Sequence, residues 1–161
     1  MSPLTLALYQ PDIPQNAGTM LRLCACLGVD AAIIGPAGFP TSDRHFRRAG
    51  MDYLDHVAVT RHVSFAAFED WRAAQRDLPG DSRDARLVLL SRHASLSYLD
   101  CAYRPGDILL VGRESAGVAE EVSRAADVSV TIPMQGAMRS LNVAMAAAMV
   151  VGEVLRQLRA P

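Results

Sequence analysis

Lysine is missing altogether: each of the 16 basic residues is arginine. That absence removes a Walker A phosphate loop, Schiff-base chemistry and a kinase-type catalytic lysine. Cysteine is sparse. Cys24 and Cys26 sit two apart in LRLCACLG and Cys101 is remote, which makes neither a C-x-x-C pair nor a disulfide framework. All three are expected to be buried thiols, since free cysteine behaves as a small hydrophobe. Long apolar runs are lacking too. The longest, Val143 to Val151, falls well short of the roughly 20 residues a membrane span needs. The stretch MSPLTLALYQPDIPQN has no basic region and no cleavage pattern, so a cytoplasmic location is expected. His45, His56, His62 and His93 are scattered, without H-x-x-x-H or His/Cys spacing, and no metal is expected.

What is present is a chain of 161 residues, half of them hydrophobic, with a net charge of −1. One domain over 1–161 is the simplest organisation, and a domain of that size buries ~70% of its unfolded surface. Near-neutral charge leaves nucleic acid open as a partner if the arginines cluster. Guanidinium suits two-pronged grips on phosphate and stacking on bases.

Apolar strand-like runs alternate with helical patterns. LTLALY precedes a helix from about Asn16 to Leu27; AAIIG precedes the basic segment DRHFRRAG; VAVT precedes SFAAFEDWRAAQ. After the polar loop RDLPGDSRDA come RLVLLS, DILLVG, a helix near AGVAEEVSRAA, then VSVTIPM and a final helix. Repeated β–α units with fully apolar strands predict an α/β fold, a mostly parallel sheet with helices on both faces. Ligands in such sheets bind at the carboxyl ends of the strands. The loops to watch are therefore YQPDIPQNAG, SRHASLS, GRESAG and PMQGAMRSLN.

Those loops exclude some chemistries. The first βα turn has no G-x-G-x-x-G, and in Gly112–Gly117 the serine falls one place too late for a nucleophile elbow. Amides, hydroxyls and a few arginines remain, flanked by glycines that let backbone approach a ligand. Such a set can bind a cofactor through main-chain groups and orient a hydroxyl for attack. Methyl transfer from a sulfonium donor needs little more, because holding reactants in line is worth up to ~7–11 kcal/mol.

Three stretches together, PDIPQNAGTMLRLCACLG, LLVGRESAGV and IPMQGAMRSLNVA, resemble the motifs of SPOUT-superfamily RNA 2′-O-ribose methyltransferases. The similarity is greatest to the short TrmL-type tRNA (cytidine/uridine-34-2′-O)-methyltransferases, runs to about Arg159, and includes RRAGMDY and AVTRH. It implies a SPOUT α/β-knot with a deep trefoil over about residues 86–158, S-adenosylmethionine as cofactor, the tRNA anticodon stem-loop as substrate, and a homodimer. It also implies roles for individual residues. Arg22, Glu114, Ser140, Asn142 and Asn16 fall at catalytic positions; Leu90, Gly112, Ile132, Met134, Ser140 and Leu141 fall where the family holds its cofactor. Arg44, Arg47 and Arg48 are the expected RNA contacts.

Each has a plainer alternative. Arg22, off the Met20/Leu23/Cys24/Leu27 stripe, would be a solvated helix residue; Asn16, Ser140 and Asn142 would be helix caps; Glu114 would offset a helix dipole. The chain also departs from the family's common G-P-E-T-R-G by placing Arg113, Ser115 and Ala116 in that loop, and Met138 precedes Arg139. Rival functions are 2′-O-methylation at another tRNA position or in ribosomal RNA, a non-catalytic RNA-binding module of the same fold, and a flavodoxin-like small-molecule domain.

Overall fold

The computed structural model describes residues 2–40, 42, 44–76, 85–138 and 140–159. Seven strands lie in one sheet: β1 (Leu4–Tyr9), β2 (Asp30–Ile34), β3 (Val59–His62), β4 (Leu87–Leu90), β5 (Leu96–Ser97), β6 (Asp107–Val111) and β7 (Val128–Thr131). Their order is β3-β2-β1-β6-β4-β7-β5, and every neighbouring pair is parallel. Four α-helices connect them, α1 (Pro14–Leu27), α2 (Arg44–Gly50), α3 (Phe65–Arg76) and α4 (Glu120–Ala125), and α5 (Val143–Leu158) follows the last strand. A 3₁₀ turn over Met51–His56 follows α2.

The strands are apolar throughout because both faces are covered. Alternate residues of one strand enter opposite layers. Leu4, Leu6 and Leu8 of β1 join Val88, Leu109 and Val111 in a core with α1 and α5, whereas Ala7, Leu87, Leu89, Ile108 and Leu110 pack with Phe68 of α3 and Val122 of α4. Truncating a buried leucine such as Leu6 or Leu110 costs about 2–5 kcal/mol.

Charge pairing holds the amino ends of the strands. Asp107, fully buried at the start of β6, accepts hydrogen bonds from Arg86 Nε at 3.0 Å and from the Arg104 main chain at 3.0 Å. Arg72 on α3 reaches Asp127 at 2.7 Å, and that carboxylate also accepts the Leu87 N–H at 2.7 Å. The opposite, carboxyl ends of β1, β4, β6 and β7 are thereby free to end in loops.

Several sequence expectations shift. β3 runs over Val59–His62 rather than VAVT, and the two-residue β5 went unforeseen because it is too short to carry a period. DRHFRRAG is helical from Arg44. The loop RDLPGDSRDA lies mostly outside the described residues. Cys24 and Cys101 are buried but Cys26 is exposed, since a helix residue two positions from a buried one turns about 200° away. Burial raises the Cys24 thiol to about 12, which leaves it inert.

Candidate active site at the strand carboxyl ends

A cleft of about 630 Å³ opens where β4, β6 and β7 end. Register explains the convergence: Leu90 pairs with Val111 and with Val130, so three loops leave the sheet at one level. Leu90, Gly112, Ile132, Met134, Ser140 and Leu141, all six expected cofactor positions, line this cleft, together with Asn16, Glu114 and Asn142. Arg139 lies outside the described residues.

The three motifs are stitched together by side chains. Asn142 caps α5, its Oδ1 accepting from the Ala144 N–H at 2.9 Å and the Met145 N–H at 3.3 Å. Its Nδ2 donates to Asn16 Oδ1 at 3.0 Å. Asn16 Nδ2 in turn donates to Glu114 Oε1 at 3.3 Å. Capping and site-building are thus one arrangement for Asn142. Asn16 is not a cap: α1 begins at Pro14 after Ile13, and Asn16 sits in the first turn with its amide bridging the other two motifs. Nor is Glu114 at a helix start, since α4 begins at Glu120.

Gly112 is required by close approach. A Cβ there would lie 2.8–3.0 Å from the backbone of Gly117, which pairs with Arg113 across a tight turn. Gly117 itself has φ of +66°, a conformation glycine adopts without strain.

Asp12 is the residue that sequence reasoning missed. Its main-chain N–H donates to Glu114 Oε2 at 3.1 Å, and its Oδ1 accepts the Glu114 N–H at 3.1 Å. Ser115 Oγ also donates to its carboxylate. Hydrogen bonding from the Glu114 carboxyl holds Asp12 down at about 2, whereas burial, then the bond to Asp12, raises Glu114 above the ordinary carboxylate range. Two carboxyls in contact hold one proton more firmly than either would alone. Arg113 stands beside them, its guanidinium 3.9 Å from Asp12 Oδ2 and 3.4 Å from Gln10 Oε1. Gln10 has φ of +42°, a strained backbone at the end of β1. Arg92 and His93, in the loop after β4, also line the cleft, and Arg92 Nε donates to His93 Nε2 at 3.3 Å. The position of SRHASLS after a strand was the only sequence signal for them.

Arg22 is placed elsewhere. It is exposed on α1, away from the cleft-lining residues, with its guanidinium 4.8 Å from the centre of the Tyr53 ring. Arg44, Arg47 and Arg48 are exposed on α2, which packs on α1. These four arginines therefore lie on neighbouring helices, apart from the cleft.

Met145 and Met149, exposed by 63% and 43%, and the exposed Gly152 share one face of α5, with Leu141 and Met138 exposed just before the helix. The opposite face, Ala144, Ala147, Val150, Val151 and Val154, is core. A helix apolar on both faces is only half covered within this chain.

The wider comparisons agree with this geometry. Residues 3–152 match the family model described as the SpoU rRNA Methylase family. A tRNA (cytidine(34)-2′-O)-methyltransferase of Beijerinckia indica is 67% identical over 155 residues, covering 96% of this chain and 92% of that protein. The Escherichia coli K12 protein of the same name is 37% identical over 98% of this chain and 96% of its own length. Among solved structures, one described as giving structural insights into the 2-OH methylation of C/U34 on tRNA superposes with a TM-score of 0.86, at 43% identity, covering 96% of this chain and 95% of that one. The SpoU methyltransferase AviRb from Streptomyces viridochromogenes, in complex with AdoMet, gives 0.89 at 27% identity over 98% of this chain and 62% of that one. With its three motif loops joined through Glu114, Asn16 and Asn142 at the ends of a parallel sheet, this chain belongs to the SpoU methylase family.

Proposed function

We propose that the protein methylates the ribose 2′-hydroxyl of the wobble nucleotide of tRNA, position 34, cytidine or modified uridine, using S-adenosylmethionine. The observation that carries this is the Glu114–Asn16–Asn142 chain, which brings residues of all three motifs to one cleft. Relatives matched over nearly their whole length carry that activity in their names.

The cleft suits the cofactor. Leu90, Ile132 and Leu141 offer an apolar wall of the kind a purine needs, and beyond the last ladder pair, Ser97–Thr131, the peptide groups of Ile132 and Met134 leave strand pairing. Gly112 lets backbone come close, and Ser140 adds a hydroxyl. When bound, S-adenosylmethionine supplies a methyl group on a positively charged sulfur. The chain's own residues hold and orient. Asn142, fixed by its cap and by Asn16, presents its side chain at the cleft mouth with Ser140, where a ribose hydroxyl can be held. Glu114 anchors that arrangement from the floor.

Arg22 does not line the cleft of its own subunit, and a second copy packed on the Met145/Met149 face supplies the means of bringing it to one. Guanidinium keeps its proton, so Arg22 acts by holding phosphate and stabilising the ionising hydroxyl, not as a base. Arg44, Arg47 and Arg48 bind phosphates of the anticodon stem-loop, which sets affinity and salt dependence rather than sequence choice. The 1–161 chain forms one knotted domain. Supporting this, β6 inserts between β1 and β4, and β7 between β4 and β5, so the chain returns twice to the sheet interior. Among the described residues no helix is long and apolar enough to cross a membrane, which fits a cytoplasmic enzyme working on tRNA.

The test is transfer of labelled methyl from S-adenosylmethionine to tRNA from a strain lacking this protein, with the protected ribose mapped. A 2′-O-methyl at nucleotide 34 is expected. Methylation elsewhere keeps the chemistry and removes the wobble assignment.

A further inference from the structure

Asp12 lies in the loop between β1 and α1 with its Cβ against Gly38, and its hydrogen-bond partners belong to the turn after β6, about a hundred residues away in the chain. The two main-chain N–H groups are exchanged reciprocally: Asp12 donates to Glu114 Oε2 and Glu114 donates to Asp12 Oδ1, both at 3.1 Å. Two of the chain's three departures from that loop's common motif, Arg113 and Ser115, turn toward this same carboxylate. A carboxylate gripped from three neighbouring residues of one turn is a fixed point, and Glu114 hangs from it.

We propose that Asp12 is a positioning residue for methyl transfer: it locks Glu114 onto Asn16 and, through Asn16, aims the Asn142 side chain at the cleft. This rests on the functional reading above. The Glu114 carboxyl accepts from both sides, from Asn16 through Oε1 and from the Asp12 N–H through Oε2, and burial, then the neighbouring Asp12, raises it while Glu114 holds Asp12 down. The groups facing the pair are Arg113 and Ser115 from the turn after β6, and Asn16 from α1. Ionising Glu114 would set a second negative charge against Asp12 and loosen the link. The sign follows: because the Glu114 carboxyl is raised on folding, its contribution is complete at acid pH and fades as pH climbs through the raised value. Asp12 does the reverse, losing its contribution only as pH falls toward about 2.

The experiment follows the Glu114 carboxyl by carbon-detected NMR across pH in wild type, Asp12→Asn and Asp12→Ala, beside steady-state kinetics on tRNA. In wild type Glu114 titrates above the ordinary range; in Asp12→Asn, which keeps an acceptor for the Glu114 N–H but loses the charge, the titration drops toward that range. Asp12→Ala loses about 10- to 100-fold in kcat, the scale of a small misplacement of reacting groups, with KM for S-adenosylmethionine changed much less. Asp12→Glu recovers part of that loss. An unmoved Glu114 titration in Asp12→Asn overturns the proposal, as does wild-type turnover by Asp12→Ala. If wild type itself fails to methylate tRNA, the functional reading falls, and the titration still decides whether Asp12 governs Glu114.

Discussion

Asn142 carries two jobs that substitutions can separate. Its Oδ1 caps α5, and its Nδ2 reaches Asn16. Asn142→Ala loses both. It is expected to cost about 1 kcal/mol from the lost cap, which lowers the melting temperature by about 2–4 °C in a chain of this size, and to abolish most activity. Asn142→Asp keeps an acceptor for the cap but has no amide to donate. Melting near that of wild type with activity still lost would assign the defect to the site; recovery of activity along with stability would reduce Asn142 to a cap. The same logic explains what the residues alone could show. An asparagine before VAMAAAMVV is legible as a cap, because capping depends on its immediate neighbours. The bond to Asn16, 126 residues away, depends on how the sheet is ordered.

Among the elements, the α1–α2 contact joins the site to the basic surface. Gly18 of α1 touches α2 so closely that a Cβ would lie 2.6 Å from the Phe46 carbonyl oxygen and 2.7 Å from Ala49 Cβ. Those are a main-chain oxygen and a short, stiff methyl, so neither can swing aside. Gly18→Ala is expected to push the helices apart at a cost of about 1–3 kcal/mol, the usual scale of overpacking. Because α2 presents Arg44, Arg47 and Arg48, tRNA affinity should fall along with thermal stability, while S-adenosylmethionine affinity changes less. Calorimetry and tRNA binding on the same variant check this; unchanged tRNA affinity in a destabilised protein would separate α2 placement from RNA binding. The helical periods of α1 and α3 were readable from apolar spacing. That α2 is a helix at all was not, since a seven-residue basic segment has too few apolar positions to declare a face.

For the whole molecule, the decisive question is what covers α5. Met145 and Met149 are exposed a turn away from the residues that cap the helix and line the cleft. Replacing both by glutamate adds two charges to that face without touching the core side. The proposed homodimer is then expected to shift to monomer in sedimentation, with S-adenosylmethionine affinity reduced less than activity. A doubly substituted protein that sediments as the wild type does would remove α5 from the interface.

Apart from β5 and α2, local pattern by itself determined the order of strands and helices, the parallel, doubly covered sheet and the four loops where a ligand could bind. Each of these follows from short-range periodicity and from the chain's need to bury apolar faces. The three motifs were legible for a related reason, being contiguous runs of residue types. Tertiary structure alone decided that Asp12 meets Glu114 and Ser115, that Arg113 turns to Gln10, that Asn16 bridges motifs rather than capping its helix, and that Arg22 stands apart from its own cleft. Save for Arg22, these are contacts between segments about a hundred residues apart, created when β6 inserts beside β1. No local propensity encodes which strand becomes a neighbour, because that choice is settled by packing the whole sheet at once.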